Sequence, residues 1–153
     1  MIFPPDQLAR VRRAFDTAFR RICEATTPAD AEDDFSNLLG QLYRLNELGK
    51  SRFGKDTWHK KLTDSDDLRA ARAAVWARTF DAHDVVDVAS MGNVFPEVYT
   101  AMYGVLVWKP LASLPQQTDI HGHDRHLDYA SFLENRGVLG TSRRAFDAMA
   151  ALL

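Results

Sequence analysis

Three stretches of this chain repeat apolar residues at alternating steps of three and four, and no other feature narrows its fold as much. The first runs through Leu8, Val11, Phe15, Ala18 and Ile22, with Arg10, Arg12, Arg13, Arg20 and Arg21 off the stripe. The second runs through Phe35, Leu38, Leu42, Leu45 and Gly49. The third runs through Leu68, Ala71, Val75, Arg78, Ala82, Val85 and Ala89. This spacing puts each set on one face of an α-helix, so each helix has to bury that face against another. Punctuation agrees with the periods. Pro4-Pro5 precedes the first helix, and Thr27-Pro28 with Asp30 placed for a capping box opens the second. Gly54 stops the second helix, and Thr63 or Ser65 caps a long third one reaching about Ser90. Three such helices pack in an up-and-down bundle with shallow crossing angles of about 20°. With 153 residues and 46% apolar content, residues 1–153 suffice for a single domain around one core.

After Met91-Gly92-Asn93 the period changes. Val105-Leu106-Val107-Trp108-Lys109 is β-branched and aromatic, and Pro110 stops it. The expectation is a small β-hairpin or strand insertion after the third long helix, with Tyr99 to Met102 as partner strand and the hairpin outside the bundle. Pro96 to Tyr103 also fits a short helix. Pro110 to Arg125 reads as a loop, followed by short helices over Leu127 to Glu134 and Thr141 to Leu153.

Composition excludes several classes. The formal charge of -2 gives no global basic field, so any nucleic-acid contact has to be local. A lone Cys23 permits neither an internal disulfide nor a Cys-x-x-Cys metal site, which suits a reducing compartment. No apolar run reaches membrane-span length, and the first residues lack a basic start followed by an apolar stretch, so a cytoplasmic protein without membrane partners is expected. Phosphate loops, dinucleotide glycine patterns and nucleophile elbows are absent, and no cofactor is expected.

Arg78 stands where the third stripe calls for an apolar residue. A guanidinium keeps its charge, so in a seam it needs an answering group. Candidates are Glu47 or Asn46 on the second helix, an acid of a second subunit, or a phosphate. On a continuous helix His83 lies about 140° around the axis and about 7.5 Å further along, with Thr79 and Ala82 flooring a groove between the two. Asp81, Asp84 and Asp87 favour the imidazolium form of His83, which suits acid catalysis. The same arrangement also describes a surface histidine in a salt-bridge cluster and a structural arginine ion pair.

Arg78-Thr79-Phe80-Asp81-Ala82-His83, an Arg-x4-His late in a bundle helix, resembles the motif of the HEPN superfamily. Leu38 to Glu47 looks like the helix ahead of that motif, and Val107-Trp108-Lys109-Pro110-Leu111 more weakly like the stretch after it. In many relatives Asn, Asp or His follows the arginine; here it is Thr79. The resemblance implies a HEPN-like helical domain acting as a metal-independent endoribonuclease at a homodimer interface, in the manner of a toxin or defence effector. Arg78 and His83 would be its catalytic residues, with Glu47, Thr79 and Asp84 supporting. The histidine would move a proton at the 2'-hydroxyl or the 5'-oxygen, and the arginine would hold the scissile phosphate. The alternative is an inactive HEPN-like module that binds RNA or a protein partner in a bacterial interaction system.

Two further clusters stand out. Lys50, Arg52, Lys55, Lys60 and Lys61 lie against the single acid Asp56, with Phe53, Trp58 and His59 interleaved. Cations with exposed aromatics suit single-stranded RNA, so Lys50, Arg52, Lys55, Trp58, Lys60 and Lys61 are candidate RNA-binding residues. The alternative places Phe53 and Trp58 under the core. His121, His123 and His126 with neighbouring acids are ligands of a suitable kind for zinc or nickel, but one short loop would have to wrap them all around an ion, and no metal is expected.

Overall fold

In the computed structural model, which describes residues 4, 6–25, 28–80, 86–88, 106–114 and 123–153, the first two stripes are buried helix faces. At 28, 29, 86–88, 123 and 124 the description covers the backbone alone. Helix α1 (Asp6–Glu24) buries Val11, Phe15, Ala18 and Ile22. Helix α2 (Pro28–Phe53) buries Phe35, Leu38, Leu42 and Leu45 and packs along α1. The two run antiparallel, since Arg21 near the end of α1 meets Asp34 near the start of α2. Gly54, at φ 82°, then turns the chain sharply into a short α3 (Lys55–Lys61), a backbone conformation that glycine adopts without a Cβ penalty.

The third helix is shorter than its periodicity implies. Helix α4 (Asp66–Ala77) starts where expected, the Ser65 hydroxyl accepting from the Leu68 N–H at 3.2 Å, but it ends at Ala77, not near Ser90. Beyond it the N–H groups of Thr79 and Phe80 donate to the carbonyls of Trp76 and Ala77 at 3.0 and 3.1 Å. The Thr79 hydroxyl also donates to the Trp76 carbonyl at 2.8 Å. Turn contacts thus use the last helical carbonyls, where another helical turn would have used them. Val86–Val88, read above as helix, is strand β1.

Strand β2 (Leu106–Trp108) pairs antiparallel with β1, Val86 opposite Trp108 and Val88 opposite Leu106. Tyr99 to Met102, the expected partner, lies outside the described residues. On its other edge β2 meets the turn between the last two helices: the Trp108 N–H donates to the Arg136 carbonyl at 3.0 Å and the Asn135 N–H to the Trp108 carbonyl at 2.9 Å. Asn135 takes a left-handed φ of 59° to make that turn. The strand is therefore not an appendage outside the bundle. Leu106 and Trp108 are buried, and the Trp108 ring meets Phe35 edge-on at 5.4 Å.

A single 3-10 turn (Leu111–Ser113) leads towards α5 (His123–Phe132) and α6 (Val138–Ala151), both of which begin earlier than their sequence patterns suggest. Phe146 and Met149 of α6 are buried as expected, while Leu152 and Leu153 are half-buried. Phe146 stacks on Phe15 at 4.1 Å, closing α6 against α1. Helix α4 packs against both α5 and α6. Its Ala70, Ala71, Ala73, Ala74 and Ala77 are buried, and their small side chains let the neighbouring backbones approach. The result is a mainly helical bundle with one two-stranded ribbon among the described residues. Among those residues no helix is long and apolar enough to cross a membrane.

Candidate functional site

Shortening the third helix changes the setting of Arg78. It caps the C-terminus of α4, is exposed, and lays its guanidinium over the Tyr43 ring at 4.3 Å. It is thus not a charge in an apolar seam, and neither Glu47 nor Asn46 answers it. Glu47 accepts from Lys50 at 2.7 Å and from Asn46 at 3.3 Å. Arg78 instead borders a depression of about 290 Å³ with Ser36, Leu39 and Phe80. The groove expected between Arg78 and His83 required a continuous helix, and α4 stops before it; His83, Ala82 and Asp84 lie outside the described residues.

The basic segment after α2 is built around a tryptophan that points inward. Trp58 is fully buried, its indole N–H donates to Asn46 Oδ1 at 3.0 Å, and its ring stacks on Phe53 at 5.9 Å with 3° between planes. Gly49 makes room for it: a Cβ there would fall 2.2 Å from Trp58 Cε2. Trp58 is therefore not a base-stacking residue, contrary to its assignment from sequence. Arg52, Lys55 and Lys60 are exposed around this anchor. Lys50 is half-buried against Glu47, and Lys61 is half-buried with its ammonium 5.0 Å from the Phe53 centroid.

One turn from Trp58, the structure brings together residues that the sequence scatters. Tyr43, Asn46 and Lys50 of α2, His59 of α3 with Leu62 just after it, Arg72, Val75 and Trp76 of α4 with Thr79 in the turn beyond, and Arg125 of α5 line a cleft of about 390 Å³. That volume falls in the range of small-ligand sites, about 300–1,000 Å³. No carboxylate lines it among the described residues. Two acids position cations of the lining: Glu47 holds Lys50, and Asp128 accepts from Arg72 Nε at 2.6 Å and pairs with its Nη2 at 2.5 Å. His59 is held below its ordinary value, first by burial and then by Arg125, Lys50 and Lys55, with Asp56 opposing.

Trp76 is a buried part of the lining. It is only 5% exposed, and its ring meets Phe80, His126 and Tyr129 at centroid distances of 5.1, 4.7 and 5.7 Å. Its indole N–H is buried without a hydrogen-bond partner among the described residues. A donor in that condition costs about 1–3 kcal/mol relative to a paired one. Cations and a neutralised imidazole around a concavity that has no acid among its described lining residues make an arrangement that can receive an anion.

A second groove, about 410 Å³ between α1 and α2, also carries arginines, but Asp34 is part of its wall and Asp6 pairs with Arg10. Of the histidine cluster, His126 lies tilted against the Trp76 ring, His121 is outside the described residues, and no three potential ligands converge on a metal among those described. The cleft was not visible in the sequence, because its walls come from four helices and only Lys50 and Thr79 were singled out as candidate site residues, for different reasons. The chain matches no protein-family model, no curated protein and no solved structure.

Proposed function

We propose that this chain is an RNA-binding helical domain that takes the sugar-phosphate backbone of a single strand along the end of α2 and along α3. The observation supporting this reading is the fold-back at Gly54: it buries Trp58 against α2, stacked on the half-buried Phe53, and leaves Arg52, Lys55 and Lys60 exposed together beside Lys61. With Trp58 turned inward, binding rests on phosphate contacts and discriminates little between sequences. About four such contacts to a single strand give a slope of about -3 for log affinity against log salt. Fluorescence anisotropy of a labelled single-stranded RNA across a salt series tests it. The slope should fall by about one with each of Lys55→Glu and Lys60→Glu. Binding that ignores both salt and these substitutions would sink the reading.

Metal-independent cleavage is the second reading, and one observation favours it: Arg78 is exposed and braced on Tyr43, so its guanidinium is open to a phosphate. In that reading Arg78 holds the phosphate and His83 moves the proton in a homodimer, as in a HEPN-like ribonuclease serving as a toxin or defence effector. The 2'-oxygen forms its bond to phosphorus as the bond to the 5'-oxygen breaks, leaving a 2',3'-cyclic phosphate and a 5'-hydroxyl. EDTA-resistant cleavage lost in both Arg78→Ala and His83→Ala is the expected result.

A further inference from the structure

We infer that the cleft between α2, α3, α4 and α5 is a binding site for a nucleotide phosphomonoester, its phosphate among Lys50, His59, Arg72 and Arg125 and its base towards Leu62, Val75 and Trp76. The argument begins with charge. Four basic side chains from four separate helices converge on one concavity, and no acid is among the described residues of its lining. Lys50 and Arg72 are not loose surface cations. Glu47 and Asp128 fix them, so little side-chain freedom remains to be lost when an anion arrives.

Size and polarity narrow the ligand. A cleft of about 390 Å³ suits one nucleotide-sized molecule, and it does not suit a duplex. Its apolar side chains, Leu62, Val75 and Trp76, share the lining with cations from α2, α4 and α5 and with the α3 imidazole. A lining that is both apolar and cationic matches a planar base joined to a phosphate better than it matches an inorganic anion.

The ligand has two sources with this chemistry: a free nucleoside monophosphate, or the 5'-phosphorylated end of an RNA. The inference stands on the cleft and not on the exposed lysines of α3, so it can fail while RNA binding survives, and the reverse. The experiment is an NMR titration of the full chain that follows the three tryptophan indole N–H signals, with Trp76 assigned by loss of its signal in Trp76→Phe. The probes are AMP, adenosine, inorganic phosphate, and a short oligoribonucleotide with either a 5'-phosphate or a 5'-hydroxyl.

AMP should shift the Trp76 signal and leave that of Trp108 in place. Adenosine should bind at least about tenfold more weakly, and Arg125→Ala or Lys50→Ala should weaken AMP by about tenfold, the loss of one charge-assisted contact. An unmoved Trp108 signal in those variants certifies their fold. If the 5'-phosphorylated oligonucleotide outcompetes AMP while its 5'-hydroxyl counterpart does not, the ligand is an RNA end; if AMP binds as well or better, it is a free nucleotide. A Trp76 signal that none of the phosphorylated probes moves at millimolar concentration overturns the inference. So does AMP binding indifferent to both substitutions, and so does adenosine binding as tightly as AMP.

Discussion

Trp76 and Trp108 lie on either side of the same ring, Tyr129, which each meets nearly edge-on at 5.7 and 6.1 Å. Both are buried, and they differ in where the indole N–H goes. Trp108 donates to Thr141 Oγ1 at 2.8 Å, and that hydroxyl donates onward to the Gly137 carbonyl at 2.8 Å. Trp76 donates to nothing among the described residues. One side of Tyr129 is a finished polar chain inside the core, and the other ends at a cationic cleft. Burial alone therefore does not separate a structural tryptophan from one at a site; the fate of its polar atom does.

Removing the finished side should have the largest effect. Trp108→Ala deletes a fully buried indole that touches Phe35 and Tyr129 and strands the Thr141 hydroxyl as acceptor, so it should cost about 3–5 kcal/mol of stability. Urea denaturation monitored by circular dichroism reads this directly. A loss below about 1 kcal/mol would mean that β2 is not part of the core, and the comparison would collapse.

Asp128 links the two sides, because it neighbours Tyr129 in α5 and fixes Arg72 at the cleft. Asp128→Asn should lower stability by about 1.5–3 kcal/mol, the range for hydrogen bonds to charged groups. It should also tighten AMP binding, since Arg72 then faces the cleft without its counter-charge. Paired urea melts and AMP titrations separate the two effects. Loss of stability with weaker AMP binding would show that Asp128 positions Arg72 more than it neutralises it.

Part of this division was legible beforehand. The stripes of α1 and α2 could be read because one face of each helix is buried along its whole length, through Ile22 and Leu45. The end of α4 could not. Ala82, Val85 and Ala89 extend its three-four spacing, while Val86-Asp87-Val88 also satisfies the two-residue alternation of a strand, and the ladder with Leu106–Trp108 decides between them. Trp58 looked exposed because cations surround it in sequence; its burial depends on Gly49 and Asn46 one helix away. The cleft was hidden for the same reason. Tyr43, His59, Arg72, Trp76 and Arg125 share no spacing, and tertiary packing alone assembles them.

The smallest effect is the one that reports most directly on the cleft. His59 is the titratable wall of the open side, whereas on the shared ring burial, with Glu134 adding to it, pushes the Tyr129 phenol well above its ordinary value and keeps it neutral. The groups facing His59 are Lys50 from α2, Lys55 and Asp56 from its own helix and Arg125 from α5, with Arg72 of α4, paired with Asp128, in the same lining. Since the folded value lies below 6.5, the unfolded chain takes up its proton first as pH falls, and folding stability should decline from about pH 6.5 downward until the folded imidazole is also protonated. Above that window His59 contributes nothing to the slope. His59→Gln should flatten this part of the curve in urea midpoints measured from about pH 8 to about pH 5, and a slope identical to wild type would remove His59 from the account. A bound phosphate reverses the cause of the shift, because an anion among Lys50, Arg72 and Arg125 favours the imidazolium. Saturating AMP should therefore shrink the difference in slope between the wild-type protein and His59→Gln, a comparison in which the phosphate's own titration cancels, and this ties the acid sensitivity of the fold to occupancy of the cleft.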